Sequence, residues 1–160
     1  MAKVLYLTED TIGQMSEHAT KIFPEECCGI VLEKDGHQIV KTCRNIQDEK
    51  RQEDSTGTEK TAETAYHIHH DDLFDVMDRL VRREGYEILA IYHSHPRVKA
   101  YFSPTDRSRA VYVWDNKEEP IHPGVSYVVI SVFPDGVKDM KVFHWDENES
   151  EFVESAYARR

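Results

Sequence analysis

The chain has 160 residues, enough for one hydrophobic core and too few for two cores with a linker between them. Its formal net charge of -10 excludes a general affinity for nucleic acid or anionic membrane, both of which select a basic face. Residues 1–15 turn charged before an apolar signal-peptide core can form, and no later stretch is long enough to span a bilayer, so a soluble, cytoplasmic protein is expected.

Val4 to Leu7 reads as a short strand, and Thr8 followed by Glu9 and Asp10 as a helix N-cap with an acidic first turn. Ile12, Met15, Ala19, Ile22 and Phe23 recur at helical spacing until Pro24, which ends the helix near Phe23. Cys27, Cys28 and Cys43 are odd in number and two are adjacent, which fits neither a disulfide framework nor a CxxC zinc knuckle; reduced, buried thiols are expected. Residues 29–33 and 38–43 flank Lys34-Asp35-Gly36-His37, the composition of a β-hairpin.

Residues 45–64 are almost wholly polar and are expected to form a flexible surface loop. A brief strand at 65–68 follows, and then a helix capped by Asp71 or Asp72. Along it Leu73, Val76, Met77, Leu80 and Val81 form one apolar face, and Gly85 closes it. The histidines of His67-Ile68-His69-His70 are read as a half-exposed strand end beside a capping carboxylate. Glu87 to Tyr92 is apolar on both alternating faces, as in a buried central strand. Ser103-Pro104-Thr105-Asp106 predicts a helix with Ser as N-cap, and 125–132 and 137–144 are further strands. Residues 155–160 are expected to fray. The order of elements predicts an α/β domain spanning 1–160, with a single mixed, largely antiparallel sheet flanked by helices.

The chemistry concentrates where the buried strand ends. In extended backbone His93 and His95 point to the same side, so both imidazoles can converge on one ion. Asp106, in the first turn of the next helix, can bring back a carboxylate oxygen. Two nitrogens and one oxygen leave a tetrahedral ion one open position, which separates a catalytic zinc site from a structural one. A base must still move the proton; Glu26 is a candidate beside its neighbour Glu25, and Ser103 can donate to an oxyanion.

Taken together, Glu26-Cys27-Cys28-Gly29, His93-Ser94-His95-Pro96, Ser103 and Asp106 closely resemble the JAMM (MPN-plus) metalloprotease motif, in the form seen in small prokaryotic members. The likeness runs from about Leu5 to Trp145. It implies a JAB/MPN fold, akin to the cytidine-deaminase architecture, with Zn2+ on His93, His95 and Asp106. It further implies Glu26 as general acid and base and Ser103 as oxyanion donor. The substrate it implies is a ubiquitin-like or sulfur-carrier protein, cut by peptide or isopeptide hydrolysis after its Gly-Gly tail. A different class of function, an MPN-type interaction module retaining zinc without turnover, fits the same ligands. A nucleoside deaminase does not, because its His-x-Glu and Pro-Cys-x-x-Cys pattern is missing. Phe102 stands where small members often carry Pro. Arg97 and Lys99, in the loop between the ligands, could steer an acidic tail.

Overall fold

A computed structural model describes residues 3–53 and 60–160. Strand β1 (Val4–Leu7) runs into helix α1 (Glu9–Ile22), where the Thr8 hydroxyl accepts from the Thr11 amide at 3.1 Å. Strands β2 (Cys28–Lys34) and β3 (His37–Cys43) form the expected hairpin. Its turn residues Asp35 and Gly36 both have positive φ, 51° and 80°, the conformation for which Asp-Gly is favoured.

The polar stretch departs from the expected loop. Gln47–Glu53 is helix α2, and Gln47 is fully buried, its amide donating to the Lys60 carbonyl at 2.8 Å and its oxygen accepting from Arg109 at 3.0 Å. Residues 54–59 of that stretch lie outside the described residues. No strand forms at 65–68; only Ile68 bridges to Asn45, because the backbone there is engaged by the Asn45 side chain, which donates to the Ala65 carbonyl and accepts from the His67 amide. Helix α3 (His70–Phe74) is capped by His69, whose Nδ1 accepts from the Asp71 amide, rather than by Asp71 or Asp72. Asp72 is unavailable as a cap because Arg44 holds its carboxylate through backbone and guanidinium. The helix continues with π-helical winding over Asp75–Arg83, burying Val76 and Leu80, and ends at Gly85 with φ 80°.

Strand β4 (Glu87–Pro96) runs through both histidines, as the extended reading of His93-Ser94-His95 expects. Helix α4 (Pro104–Ala110) starts at Ser103 as expected. A two-stranded ribbon, β5 (Val111–Trp114) with β6 (Lys117–Pro120), was not expected from the sequence; its polar, Pro-ending second strand carries no alternating apolar signal. Strands β7 (Ser126–Phe133), β8 (Gly136–Asp146) and β9 (Glu151–Arg159) complete the fold. Residues 155–159 are strand rather than frayed, because Ser155 pairs with β8 and Ala156 to Arg159 pair in parallel with β1.

The sheet has seven strands in the order β1-β9-β8-β7-β4-β2-β3. The β1–β9 and β4–β7 pairs are parallel and the others antiparallel, so the architecture is the mixed, largely antiparallel α/β sheet expected. One face packs Val31, Tyr92 and Val128 against Met15 and Ala19 of α1. The other packs Ile30, Leu32 and Ile91 against Val76 and Leu80. His93 and His95 share their side of β4 with Ile91. All three cysteines are free and buried. Among the described residues no helix is long and apolar enough to cross a membrane.

Gly29 sits opposite Tyr92 in the β2–β4 ladder, and a Cβ there would lie 2.4 Å from the tyrosine ring. The ring cannot withdraw, being fully buried with its hydroxyl 2.8 Å from His18 Nδ1. Gly29→Ala is therefore expected to cost about 1–3 kcal/mol of stability, read as a lower urea midpoint with an unchanged slope.

Candidate metal centre

Extended pairing of β4 aims His93 and His95 at one point, and the two Nε2 atoms stand 3.2 Å apart. Asp106 reaches the same point from the first turn of α4. Its Oδ2 lies 3.1 Å from His93 Nε2 and 3.2 Å from His95 Nε2. The three atoms form a nearly equilateral triangle. Ligands held about 2.0–2.1 Å from a tetrahedral zinc stand about 3.3 Å from one another, so the donor set fits an ion of that kind without rearrangement.

The orientation of each ligand has an identifiable cause. His95 Nδ1 lies 3.2 Å from the Lys99 carbonyl, which can only accept; the proton therefore sits on Nδ1, and Nε2 keeps its lone pair for a metal. Asp106 is set by a capping box in which the Ser103 hydroxyl accepts from the Asp106 amide and the Asp106 carboxylate accepts from the Ser103 amide, both at 3.0 Å. Phe102, just before the cap, packs on Tyr127, Phe143 and Phe152 and so fixes the approach to the helix. Tyr66 stacks on His93 with ring centroids 4.6 Å apart.

Glu26 is 3 % exposed, and its carboxylate groups with the two histidines, with the candidate ligand atoms all within 4.8 Å of one another. It is placed by backbone: its amide donates to the Ala62 carbonyl at 2.8 Å, and its carbonyl accepts from the Asn45 amide at 2.9 Å. Ser94, fully buried between the two histidines but on the opposite face, locks the segment after Glu26 to β4. Its hydroxyl accepts from the Cys27 amide at 2.8 Å and its amide donates to the Cys27 carbonyl at 3.1 Å. Glu25, the other candidate, lines a separate surface depression with Asp48 and Arg51.

The structure thus brings Glu26, His93, His95, Ser103 and Asp106 into one buried cluster. Sequence reasoning passed over Ser94, Asn45, Tyr66 and the Lys99 carbonyl. Ser94 carried a signal, a hydroxyl residue alternating with two ligands on a buried strand; the carbonyl of Lys99 carried none. Arg97 lies over the Phe23 ring at 4.8 Å and Lys99 over Tyr101 at 5.6 Å, so both cations are packed on aromatic faces. His69, His70 and Asp71 also group closely enough to share an ion, but His70 and Asp71 are solvent-exposed.

Electrostatically the cluster is divided. Burial raises the Glu26 carboxyl to about 9, with the Asp106 charge adding to the effect. Burial opposes ionisation of Asp106 too, but His93 and His95 and the Ser103 amide outweigh it and hold that carboxyl well below the usual range. Glu26 Oε1 and His93 Nδ1 are buried without hydrogen-bond partners among the described residues. Such atoms are costly to leave unmet, so the cluster has bonding capacity to spare for a ligand.

A model of the family described as prokaryotic homologs of the JAB domain matches residues 8–146. A solution structure from Desulfitobacterium hafniense superposes with a TM-score of 0.66 at 21% identity, covering 98% of this chain and 93% of that one. A second, from Salinibacter ruber, gives 0.60 at 23% identity, with 98% and 92% covered. The tail tip assembly protein K of Escherichia phage N15 is 26% identical over 103 residues, 64% of this chain. The match takes in only 35% of that phage protein's length.

In the metal-free protein a carboxyl raised by folding favours the native state while protonated and disfavours it once ionised. Stability contributed by Glu26 is accordingly lost as pH climbs from the ordinary carboxylate range toward about 9. Glu26→Gln is expected to stabilise the metal-free chain at pH 8 by about 1–3 kcal/mol and to flatten this pH dependence in chemical denaturation.

Proposed function

This chain belongs to the prokaryotic JAB-domain family, and from that premise we propose that it is a zinc metallopeptidase acting at the Gly-Gly C-terminus of a ubiquitin-like or sulfur-carrier protein. The observation that carries the reading is the triangle of His93 Nε2, His95 Nε2 and Asp106 Oδ2, with edges of 3.1–3.2 Å, beside the buried carboxyl of Glu26.

His93, His95 and Asp106 would hold the ion. When bound, zinc supplies Lewis acidity toward a carbonyl and eases deprotonation of water near neutral pH. Glu26 takes the proton of the attacking water and returns it to the leaving amine, a role suited to a carboxyl whose affinity for protons has been raised. A neighbouring cation would bring that affinity down toward the working pH. Ser103 spends its lone pair on the Asp106 amide, which leaves its O–H free to donate to the oxyanion. A Gly-Gly tail suits the site because it lies extended and brings no side chains to keep its backbone from the centre.

A binding module that holds zinc without turnover is the second reading. It draws on the exposed aromatic ribbon, where Val113 and Trp114 are 68% and 72% exposed, and on the assembly role in the name of the phage relative.

Zinc-loaded protein incubated with carrier fusions extended beyond Gly-Gly should release the extension, followed by C-terminal mass. Glu26→Gln should lower kcat by at least about 100-fold while keeping one zinc per chain. His95→Ala should lose the zinc itself, with affinity down by at least about 100-fold by metal titration. Cleavage that survives both Glu26→Gln and chelation would remove the peptidase reading; bound zinc with no cleavage of any fusion would favour the binding module.

A further inference from the structure

Beside the metal centre lies a cavity of about 430 Å3 that the mechanism above does not use. Asp106 and Tyr66 are among its lining residues, so the cavity adjoins one corner of the ligand triangle and the ring stacked on His93. Its walls are mostly apolar: Ile68 from the segment before α3, Ile91 from β4, Tyr127 from β7, and at the mouth Leu73 and Ile121. Leu73 and Ile121 are 36% and 44% exposed, so the cavity opens to solvent between α3 and the segment after β6.

A wall of this kind is built and held. Arg109 anchors one side, donating to Gln47 at 3.0 Å and to the Tyr66 carbonyl at 2.5 Å, so the segment carrying Tyr66 and Ile68 is tied to α4. The volume falls in the range of pockets that enclose small ligands. A Gly-Gly pair needs none of it. Selection by this space must therefore come from another residue of the bound chain.

We propose that this cavity is a specificity pocket that receives one bulky apolar side chain, of Leu or Phe size, from the polypeptide held at the metal centre. The proposal deepens the peptidase reading and rests on it for the identity of the bound chain. Apolar walls contribute by taking hydrocarbon from water, whereas a carboxylate entering the same space would lose hydration and meet Asp106, the lining Arg109 guanidinium being engaged by Gln47 and the Tyr66 carbonyl. Leu is favoured over Ala by the apolar area it buries, and Ala over Asp by the hydration the carboxylate would lose.

The test is a binding measurement that needs no turnover. Methyl-labelled Glu26→Gln chain is titrated with acetyl-Leu-Gly-Gly, acetyl-Ala-Gly-Gly and acetyl-Asp-Gly-Gly and followed by NMR. Methyl shifts are expected at Ile68, Leu73, Ile91 and Ile121, with at least about 10-fold tighter binding of the Leu peptide than of the Ala peptide. Ile121→Asp should abolish that preference. Because Ile121 is exposed, the methyls of Leu7 and Val128 on the opposite face should keep their positions, showing that the variant is folded. Equal affinity for the three peptides, shifts confined to other methyls, or a preference that survives Ile121→Asp would overturn the pocket. If the methyls respond as expected but no carrier fusion is cleaved, the pocket stands and the catalytic reading falls.

Discussion

Three lone-pair atoms aimed at one point, on side chains largely withdrawn from solvent, are the constraint on which the rest of this molecule turns. Two imidazole nitrogens and a carboxylate oxygen do not gather at about 3 Å in a protein interior by packing alone, because each loses solvation it must recover from something. Here the recovery is partial. Asp106 is met by the Ser103 amide and His95 by the Lys99 carbonyl, while His93 Nδ1 and Glu26 Oε1 go without. The three atoms stand close enough together to hold a cation.

Each group is placed by a feature that also serves the fold. The hydrogen bonds that start α4 are those that aim its carboxylate, so capping and ligation cannot be separated at Ser103 and Asp106. The sheet pairing that brings β2 beside β4 delivers Glu26 to the ligands, and Ser94 clamps the junction from the other face. On the third side, Asn45 gathers the backbones of Glu26, Ala65 and His67, so that the base and the ring of Tyr66 share one support. Rigid elements rather than loop tips carry the chemistry, as positional tolerance of a fraction of an ångström demands.

What could be read in the residues followed where local signals and burial agree. Ser103-Pro104-Thr105-Asp106 is a helix start on its own terms, the Asp-Gly turn specifies its hairpin, and alternation on a doubly apolar strand puts His93 and His95 on one side. The polar tract misled because its order comes from elsewhere: Gln47 is buried by Lys60 and Arg109, partners that no local pattern reveals. Residues 155–159 read as unable to hold a strand, yet Ser155 pairs with β8 and Ala156 to Arg159 pair with β1. The cap of α3 fell to His69 because Asp72 was already taken by Arg44, far along the chain. In each case a tertiary partner outvoted propensity.

Strand β4 meets β2 residue for residue from His93 back to Ala90, and then skips: Val31 faces Ala90 while Leu32 faces Ile88, leaving Leu89 as the extra residue. A strand has a period of two, so sliding it by one position would turn Ser94 toward the ion and both imidazoles into the packing against α1. The irregularity lies on the side away from the ligands. Variation in the length of the hairpin turn or of the helix before β4 can therefore be absorbed at Leu89 without reaching the histidines. The segment between that bulge and Pro96 behaves as a fixed ruler that keeps both imidazoles on one side of the sheet.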